Sequence, residues 1–194
     1  DLWVLGEHRL LCGDSSSEAD LDRLLDGQTI QLVNTDPPYN VKVEPRSNNA
    51  FVSGKTSFHP VPKSSSRSGE QVKGTTTKMR AKDRPLENDN VTDEQFSLLL
   101  CAWFRNLARS LDPGRAFYIW GGYANIANYP TVLEDAGLRF AQQIIWHKMH
   151  PVISRKDFMG DHEWCFYGWR SGAAHKFFGP NNIPDVWSIK KVNP

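Results

Sequence analysis

The sequence predicts an α/β protein built on a mostly parallel sheet, with helices on both faces and one antiparallel strand contributed by a late hairpin. Three observations predict it. Short apolar runs such as Ala116 to Trp120 alternate with stretches of helical periodicity such as Phe96 to Leu111, the pattern of parallel strands sandwiched by helices. The runs Leu138 to His147 and Glu163 to Trp169 stand close enough to pair as a hairpin, which supplies the antiparallel strand. A length of 194 residues suits one such domain with a real core and is short for two.

Taken in order, Leu2 to Leu5 and Arg9 to Cys12 are apolar runs joined by Gly6-Glu7-His8, a small hairpin or two abutting strands. Gly13-Asp14-Ser15 is a tight turn. Ser17 can cap a helix from Glu18 to Asp26, with Leu21, Leu24 and Leu25 on its inner face and Gly27 ending it. The largely apolar run Thr29 to Val33 is the next strand, and the resulting β-α-β unit puts Asp14 and Asp36 at strand ends facing one crevice. From Val41 to about Pro85 periodicity vanishes and Ser, Lys, Gly, Thr and Pro dominate, as in a functional loop or a disordered insertion. That stretch carries ten Lys or Arg against three acidic residues, hence +7, whereas the whole chain carries +1 and the remainder therefore −6. A basic insertion sits on an acidic body.

Regular structure resumes at Thr92, which forms a capping box with Gln95. The helix it opens runs to about Leu111, with Phe96, Leu99, Leu100, Trp103, Leu107 and Leu111 inward and Arg105 and Arg109 outward, until Asp112-Pro113-Gly114 stops it. Ala116 to Trp120 is a buried strand turned by Gly121-Gly122, and a short helix from Pro130 to Ala136 ends at Gly137. Leu138 to His147 is a long strand, Lys148 to Asp161 a loop, and Glu163 to Trp169 its hairpin partner. His175 to Phe178 and Val186 to Ile189 are weaker strand candidates.

Several function classes are set aside by composition. Cys12, Cys101 and Cys165 lie far apart with no C-x-x-C pair, which gives neither a disulfide framework nor a zinc site and fits a reducing cytoplasm. His150, His162 and His175, with Cys165, lack ligand spacing, so no metal is expected. No apolar stretch approaches the roughly 20 residues that span a bilayer, and no signal peptide is evident. The chain opens on Asp1-Leu2-Trp3 without methionine, so a preceding segment is expected.

The sharpest feature is Asn34-Thr35-Asp36-Pro37-Pro38-Tyr39-Asn40, directly after the strand Thr29 to Val33. Adjacent prolines fix φ near −65° and remove two backbone donors, so the strand must stop and leave a stiff turn at its carboxyl end. Ligands bind at that edge of open α/β sheets. One carboxylate, spare carbonyls and one aromatic ring can accept hydrogen bonds from an amino group and stack on a flat heterocycle. An ordinary loop opener with a packing tyrosine has the same four letters.

Asp36-Pro37-Pro38-Tyr39 resembles the D-P-P-Y motif of the amino-group DNA methyltransferases, which methylate adenine N6 or cytosine N4. Gly13-Asp14, Leu86-Glu87-Asn88-Asp89-Asn90 before a helix, Ile145-Trp146-His147-Lys148 ending a strand, and His162-Glu163 followed by Phe166-Tyr167-Gly168-Trp169 extend the likeness to the permuted β-group. The resemblance implies a Rossmann-like methyltransferase fold, S-adenosylmethionine as cofactor, and DNA as partner in a prokaryotic or phage-infected cell, as in restriction-modification. Asp36, Pro37, Pro38 and Tyr39 are then catalytic, with Asp36 also lining the cofactor site. Asp14 matches a cofactor-side position, or caps the following helix as a turn aspartate. Asn40, His147 and Lys148 are candidates for nucleic-acid contacts, the last two being equally a solvated strand end. Lys73, Lys78, Arg80 and Lys82 are expected to reach phosphates from the insertion, unless it is a solvated linker. Aspartate as first motif residue points to adenine, cytosine-N4 members more often carrying serine.

The family's glycine-rich cofactor loop, and the two strands that in the family's sheet lie between the strand before Asp14 and the strand before Asp36, have no counterpart here. The expectation is therefore a partial methyltransferase catalytic domain over residues 1–194, the base-handling half, with 41–85 as insertion. A carboxyl-terminal continuation or second chain supplies the rest, and a homodimer is possible within the family. A noncatalytic nucleic-acid-binding subunit that kept the fold is the competing expectation.

Overall fold

The computed structural model describes residues 1–40, 47–56, 78, 91–121, 126–152 and 157–190. They fall into two compact units, residues 1–39 with 93–194, and residues 40–92.

The larger unit is organised on a five-stranded sheet in the order β3 (Ile30–Thr35), β4 (Leu111–Gly121), β6 (Gly160–Arg170), β5 (Leu138–Val152), β7 (Val186–Ser188). β3 runs parallel to β4, and β5 parallel to β7, whereas β6 lies antiparallel to both β4 and β5. The single antiparallel strand is thus the second arm of the β5–β6 hairpin, as the spacing predicts. Side chains alternate across this sheet. Phe117, Ile119, Phe166 and Phe140 belong to one face, with α3 (Asp93–Ser110) and α4 (Tyr129–Asp135) against it through Phe104, Tyr129 and Leu133. Tyr118, Ile144, Cys165, Tyr167 and Trp187 form the core of the other face. Helices on both faces were expected. Among the described residues of this unit, segment 175–187 covers the second face, leaving an apolar cavity of about 840 Å³ beneath it.

Two glycines make this packing possible. A Cβ on Gly168 would lie 1.9 Å from the Arg139 carbonyl oxygen and 2.7 Å from Phe117 Cζ, so the β5–β6 approach admits no side chain there. At Gly121 a Cβ would lie 2.4 Å from Tyr129 Cε2.

The first two runs form the expected hairpin, β1 (Leu2–Leu5) with β2 (His8–Leu11), turned at Gly6 with φ +64°. Several other expectations are corrected. Among the described residues β2 pairs only with β1, so no β-α-β unit of described residues shares the main sheet, and the turn carrying Asp14 is held instead by α3, where buried Asn106 Nδ2 donates to Ser15 O at 3.0 Å. α1 (Glu18–Leu25) is capped by Ser17 as predicted and closed by left-handed Asp26 and Gly27, yet none of its side chains is fully buried. β3 runs two residues beyond Val33, because Asn34 and Thr35 still pair with Tyr118 and Ile119. Strand geometry begins at Leu111 directly after α3, with Asp112 to Arg115 bulged out between the Ile30–Leu111 and Leu32–Ala116 pairs. Asp112 accepts from Gln31 there, and Gly114 takes φ +78°. His175 to Phe178 is not a strand. Its anchor is side-chain chemistry: His175 bonds Tyr167 Oη and Gly114 O and stacks on Trp169 at 4.2 Å. Both hairpin strands are longer than predicted, since pairing continues to Val152–Gly160.

In the smaller unit, α2 (Asn48–Val52) lies where no periodicity predicted a helix. It is one turn, capped by Ser47 Oγ accepting from Ala50 N and ended at Gly54 with φ +65°. Lys73, Arg80, Lys82 and the Leu86 to Asn90 stretch lie outside the described residues. No described helix is long and apolar enough to cross a membrane.

Candidate active site

The parallel strands deliver one row of side chains to a common edge. β3 ends where Pro37 can no longer donate to the ladder, so Asp36 is the first residue past the sheet. Register fixes its neighbours. Thr35 pairs with Ile119, two residues before Gly121, and Gly121 pairs with Trp164 of β6. Trp146 pairs with Glu163, and His147 with His162.

Asp36 is exposed, and the half-buried Tyr39 donates its hydroxyl to Asp36 Oδ1. Burial first, and then that hydrogen bond and the charge of Asp36, push the Tyr39 phenol well above the ordinary tyrosine range, with a smaller push from Glu163. The phenol therefore stays protonated and remains a donor. Trp120 Nε1 donates to Asn34 Oδ1 at 2.9 Å, and the Trp120 and Trp146 rings meet edge to face, 6.2 Å between centroids. These bonds stiffen the strand end that carries Asp36.

Tyr129 stands at the amino end of α4, near enough to Asp36 to feel its charge. It is fully buried between Phe104 and Phe166, and its hydroxyl has no hydrogen-bond partner among the described residues. Burial chiefly, and the Asp36 charge secondarily, raise its pKa far above the ordinary value. The sequence marks Pro130 as a helix start but carries no signal for the residue before it.

The remaining candidates separate into different settings. Lys148, with its side chain 15% exposed, pairs with Glu163 instead of standing free at the strand end. Glu163 was singled out by resemblance without a role. His147 is bracketed by Ser188 Oγ at 3.4 Å and Asp161 Oδ2 at 3.1 Å and stays partly exposed. Asp14 Oδ1 accepts from both Ser16 N and Ser16 Oγ at 2.8 Å, an Asx turn leading into α1. In the smaller unit, Asn40 clamps the backbone of Val91, accepting from its N at 3.0 Å and donating to its O at 3.2 Å, and so ties residue 40 to residue 91. Lys78 is exposed, and its carbonyl accepts from Asn49. Among the described residues no three His, Cys, Asp or Glu side chains converge as metal ligands.

The proline-locked edge of a mixed sheet thus presents an exposed carboxylate beside an aromatic ring. A family model described as DNA methylase matches residues 30–192, and the chain belongs to that family. No curated protein matches the sequence. Among solved structures, the M1.HpyAVI-SAM complex is 16% identical, with 94% of this chain and 63% of that one aligned at a TM-score of 0.53. M1.HpyAVI itself gives 17% identity, 93% and 66% coverage, and a TM-score of 0.55. TTHA0409 from Thermus thermophilus, complexed with S-adenosyl-L-methionine, gives 17%, 93% and 65%, and 0.50. These likenesses establish a shared fold. The chain spans less than two thirds of each of those proteins.

Proposed function

We propose that this chain handles the target base in an amino-group DNA methyltransferase, moving a methyl group from S-adenosylmethionine to an exocyclic amine, adenine N6 in particular. The observation that carries the proposal is the exposed Asp36 carboxylate on the proline-locked end of β3, with Tyr39 beside it. Membership of the DNA methylase family supports the substrate, and the cofactor complexes of similarly folded proteins support the donor. Aspartate as first motif residue favours adenine, and the Asp36-Pro37-Pro38-Tyr39 sequence and its surroundings favour the permuted group.

The residues suit this chemistry. When bound, S-adenosylmethionine supplies a methyl group already activated on a sulfonium, so the protein's task lies with the amine. Asp36 borders the cofactor's place; Asp14 is the weaker candidate contact, because Ser16 occupies its Oδ1. An exocyclic amine is a poor nucleophile because its lone pair is delocalised into the ring. Asp36, helped by the Pro37 carbonyl, accepts hydrogen bonds from the amine hydrogens and so localises the lone pair on nitrogen. The stiff Pro37-Pro38 backbone keeps both acceptors in place. Tyr39 stacks on the base, and an aromatic platform worth about 1–3 kcal/mol per base offsets much of the few kcal/mol needed to flip it from the duplex.

Lys73, Lys78, Arg80 and Lys82, with Asn40 and His147, are the proposed contacts along the DNA, and Lys148 is the weaker candidate because Glu163 holds its ammonium; the local +7 between residues 41 and 85 supports the first four. The deciding experiment is radiolabelled methyl transfer to unmethylated genomic DNA by the full-length gene product, followed by nucleoside analysis. N6-methyladenine that disappears in Asp36→Ala is expected. N4-methylcytosine would overturn the base assignment, and DNA binding without transfer would mean a noncatalytic subunit.

A further inference from the structure

The buried hydroxyl of Tyr129 has no task in the packing of the fold. The ring is held by Phe104 at 5.5 Å and edge-on by Phe166 at 4.9 Å, contacts a phenylalanine would make equally well. With the residue 0% exposed, the hydroxyl cannot turn outward to water, and no described group satisfies it. Buried polar groups in folded proteins are nearly always paired, so an orphan donor calls for an explanation. Its position suggests one. The hydroxyl-bearing edge of the ring, at Cε2, lies 2.4 Å from where a Cβ of Gly121 would stand. Gly121 is the last residue of β4, two residues past Ile119, the partner of Thr35, so this edge of the ring stands level with the Asp36-Pro37 bend, and the Asp36 charge reaches the hydroxyl.

We propose that Tyr129 is a positioning residue that acts through Asp36: its hydroxyl donates to the Asp36 carboxylate when a base occupies the site, and holds that acceptor against the amine. The inference rests on the base-handling reading of Asp36 given above. In the structure Tyr39 supplies the donor to Asp36 Oδ1. Once Tyr39 turns its ring to the base, the carboxylate loses that restraint, and the Tyr129 hydroxyl takes over. Burial and the nearby Asp36 charge both keep the Tyr129 phenol protonated, the form the role requires. A free-standing carboxylate samples many orientations in water; one gripped by a fixed donor stays aligned through the reaction. The vacant hydrogen bond is thus a feature retained at a working site at the expense of stability.

Stability and turnover should therefore part company. In the full-length protein, Tyr129→Phe should melt at the same temperature as the wild type or higher, because only an unsatisfied buried hydroxyl is lost. Its kcat should fall about 10- to 100-fold, the size of one hydrogen bond to a charged group, with KM for DNA and for S-adenosylmethionine within about twofold of wild type, since the interaction acts on alignment and not on uniform binding. Tyr118→Phe, a phenol deletion on the opposite face, should change neither. Unchanged kcat in Tyr129→Phe, a fall in melting temperature parallel to the loss of activity, or a loss carried by KM overturns the proposal. Asp36→Ala measured alongside separates the two levels. Full activity of Asp36→Ala removes the base-handling reading itself, whereas inactive Asp36→Ala with normal Tyr129→Phe removes only the role of Tyr129.

Discussion

Tyr39 presents two chemical handles, a ring and a hydroxyl, and substitution can weigh them separately. In the structure the hydroxyl bonds Asp36, while the ring is half-buried beside the turn. Removing the hydroxyl in Tyr39→Phe breaks one bond to a carboxylate. Such a bond is worth about 1.5–3 kcal/mol when both partners are buried, but Asp36 is exposed and water replaces the donor, so the net loss should stay below about 1 kcal/mol. At 1.36 kcal/mol per factor of ten, that is at most about a fivefold fall in kcat/KM. Removing the ring in Tyr39→Ala forfeits base stacking of about 1–3 kcal/mol, or about 5- to 150-fold. Tyr39→Trp keeps a platform and should retain activity. The assay is steady-state methyl transfer by the full-length protein on a duplex containing its target site, with each variant checked by thermal melting. If Tyr39→Phe is as impaired as Tyr39→Ala while folded normally, the hydroxyl carries the function and the stacking argument fails.

Four further outcomes follow from the same geometry. Gly168→Ala should destabilise by about 1–3 kcal/mol or more in urea unfolding, because its Cβ meets the Arg139 backbone oxygen, which cannot move without spreading β5 from β6; an unchanged midpoint contradicts that register. Burial pushes the Cys165 thiol up to about 12, above its ordinary 9, so the buried Cys165 should resist a thiol reagent at pH 8 that modifies exposed Cys12, until the protein is unfolded. The same raised value contributes stability fully present below pH 9 and lost as pH climbs toward 12, so Cys165→Ala should show a shallower alkaline decline in urea midpoint than the wild type. Replacing Lys73, Lys78, Arg80 and Lys82 together by Ala should flatten the slope of log affinity against log salt by up to about 0.9 per phosphate lost, whereas Lys148→Ala should leave it unchanged while the ammonium stays on Glu163; a reversed result exchanges the two assignments.

Local chemistry in the sequence foretold what local chemistry decides. Capping residues and glycine terminators act within a few residues, which is why the Ser17 cap of α1 and the closure of α4 before Gly137 could be read directly. The β5–β6 hairpin was legible for the same reason, its two apolar runs being close in sequence. What escaped was decided by pairing over distance. Four residues in β2 look like any other short strand, and only the absence of a described partner beyond β1 removes it from the main sheet. His175 to Phe178 looks like a strand because aromatic and basic residues fit one, yet bonds to Gly114 and Tyr167 and the stack on Trp169 hold it by its side chains.

The candidate site divides along the same line. Asp36 and Tyr39 are three residues apart, so their contact follows from the turn that the prolines dictate. Tyr129 and Glu163 reach the same corner only through register, Gly121 lying opposite Trp164 and under the ring of Tyr129, and no nearby pattern specifies that. Lys148 makes the sharper point. A lysine at a strand end has the same letter whether it faces a phosphate or a carboxylate, and the side chain that decides between them, Glu163, stands on the opposing strand one position off the His147–His162 pair. Net charge by segment therefore locates where a polyanion could be met. Which cations remain available to meet it is set by cross-strand pairing, and within the larger unit that pairing commits Lys148 to Glu163.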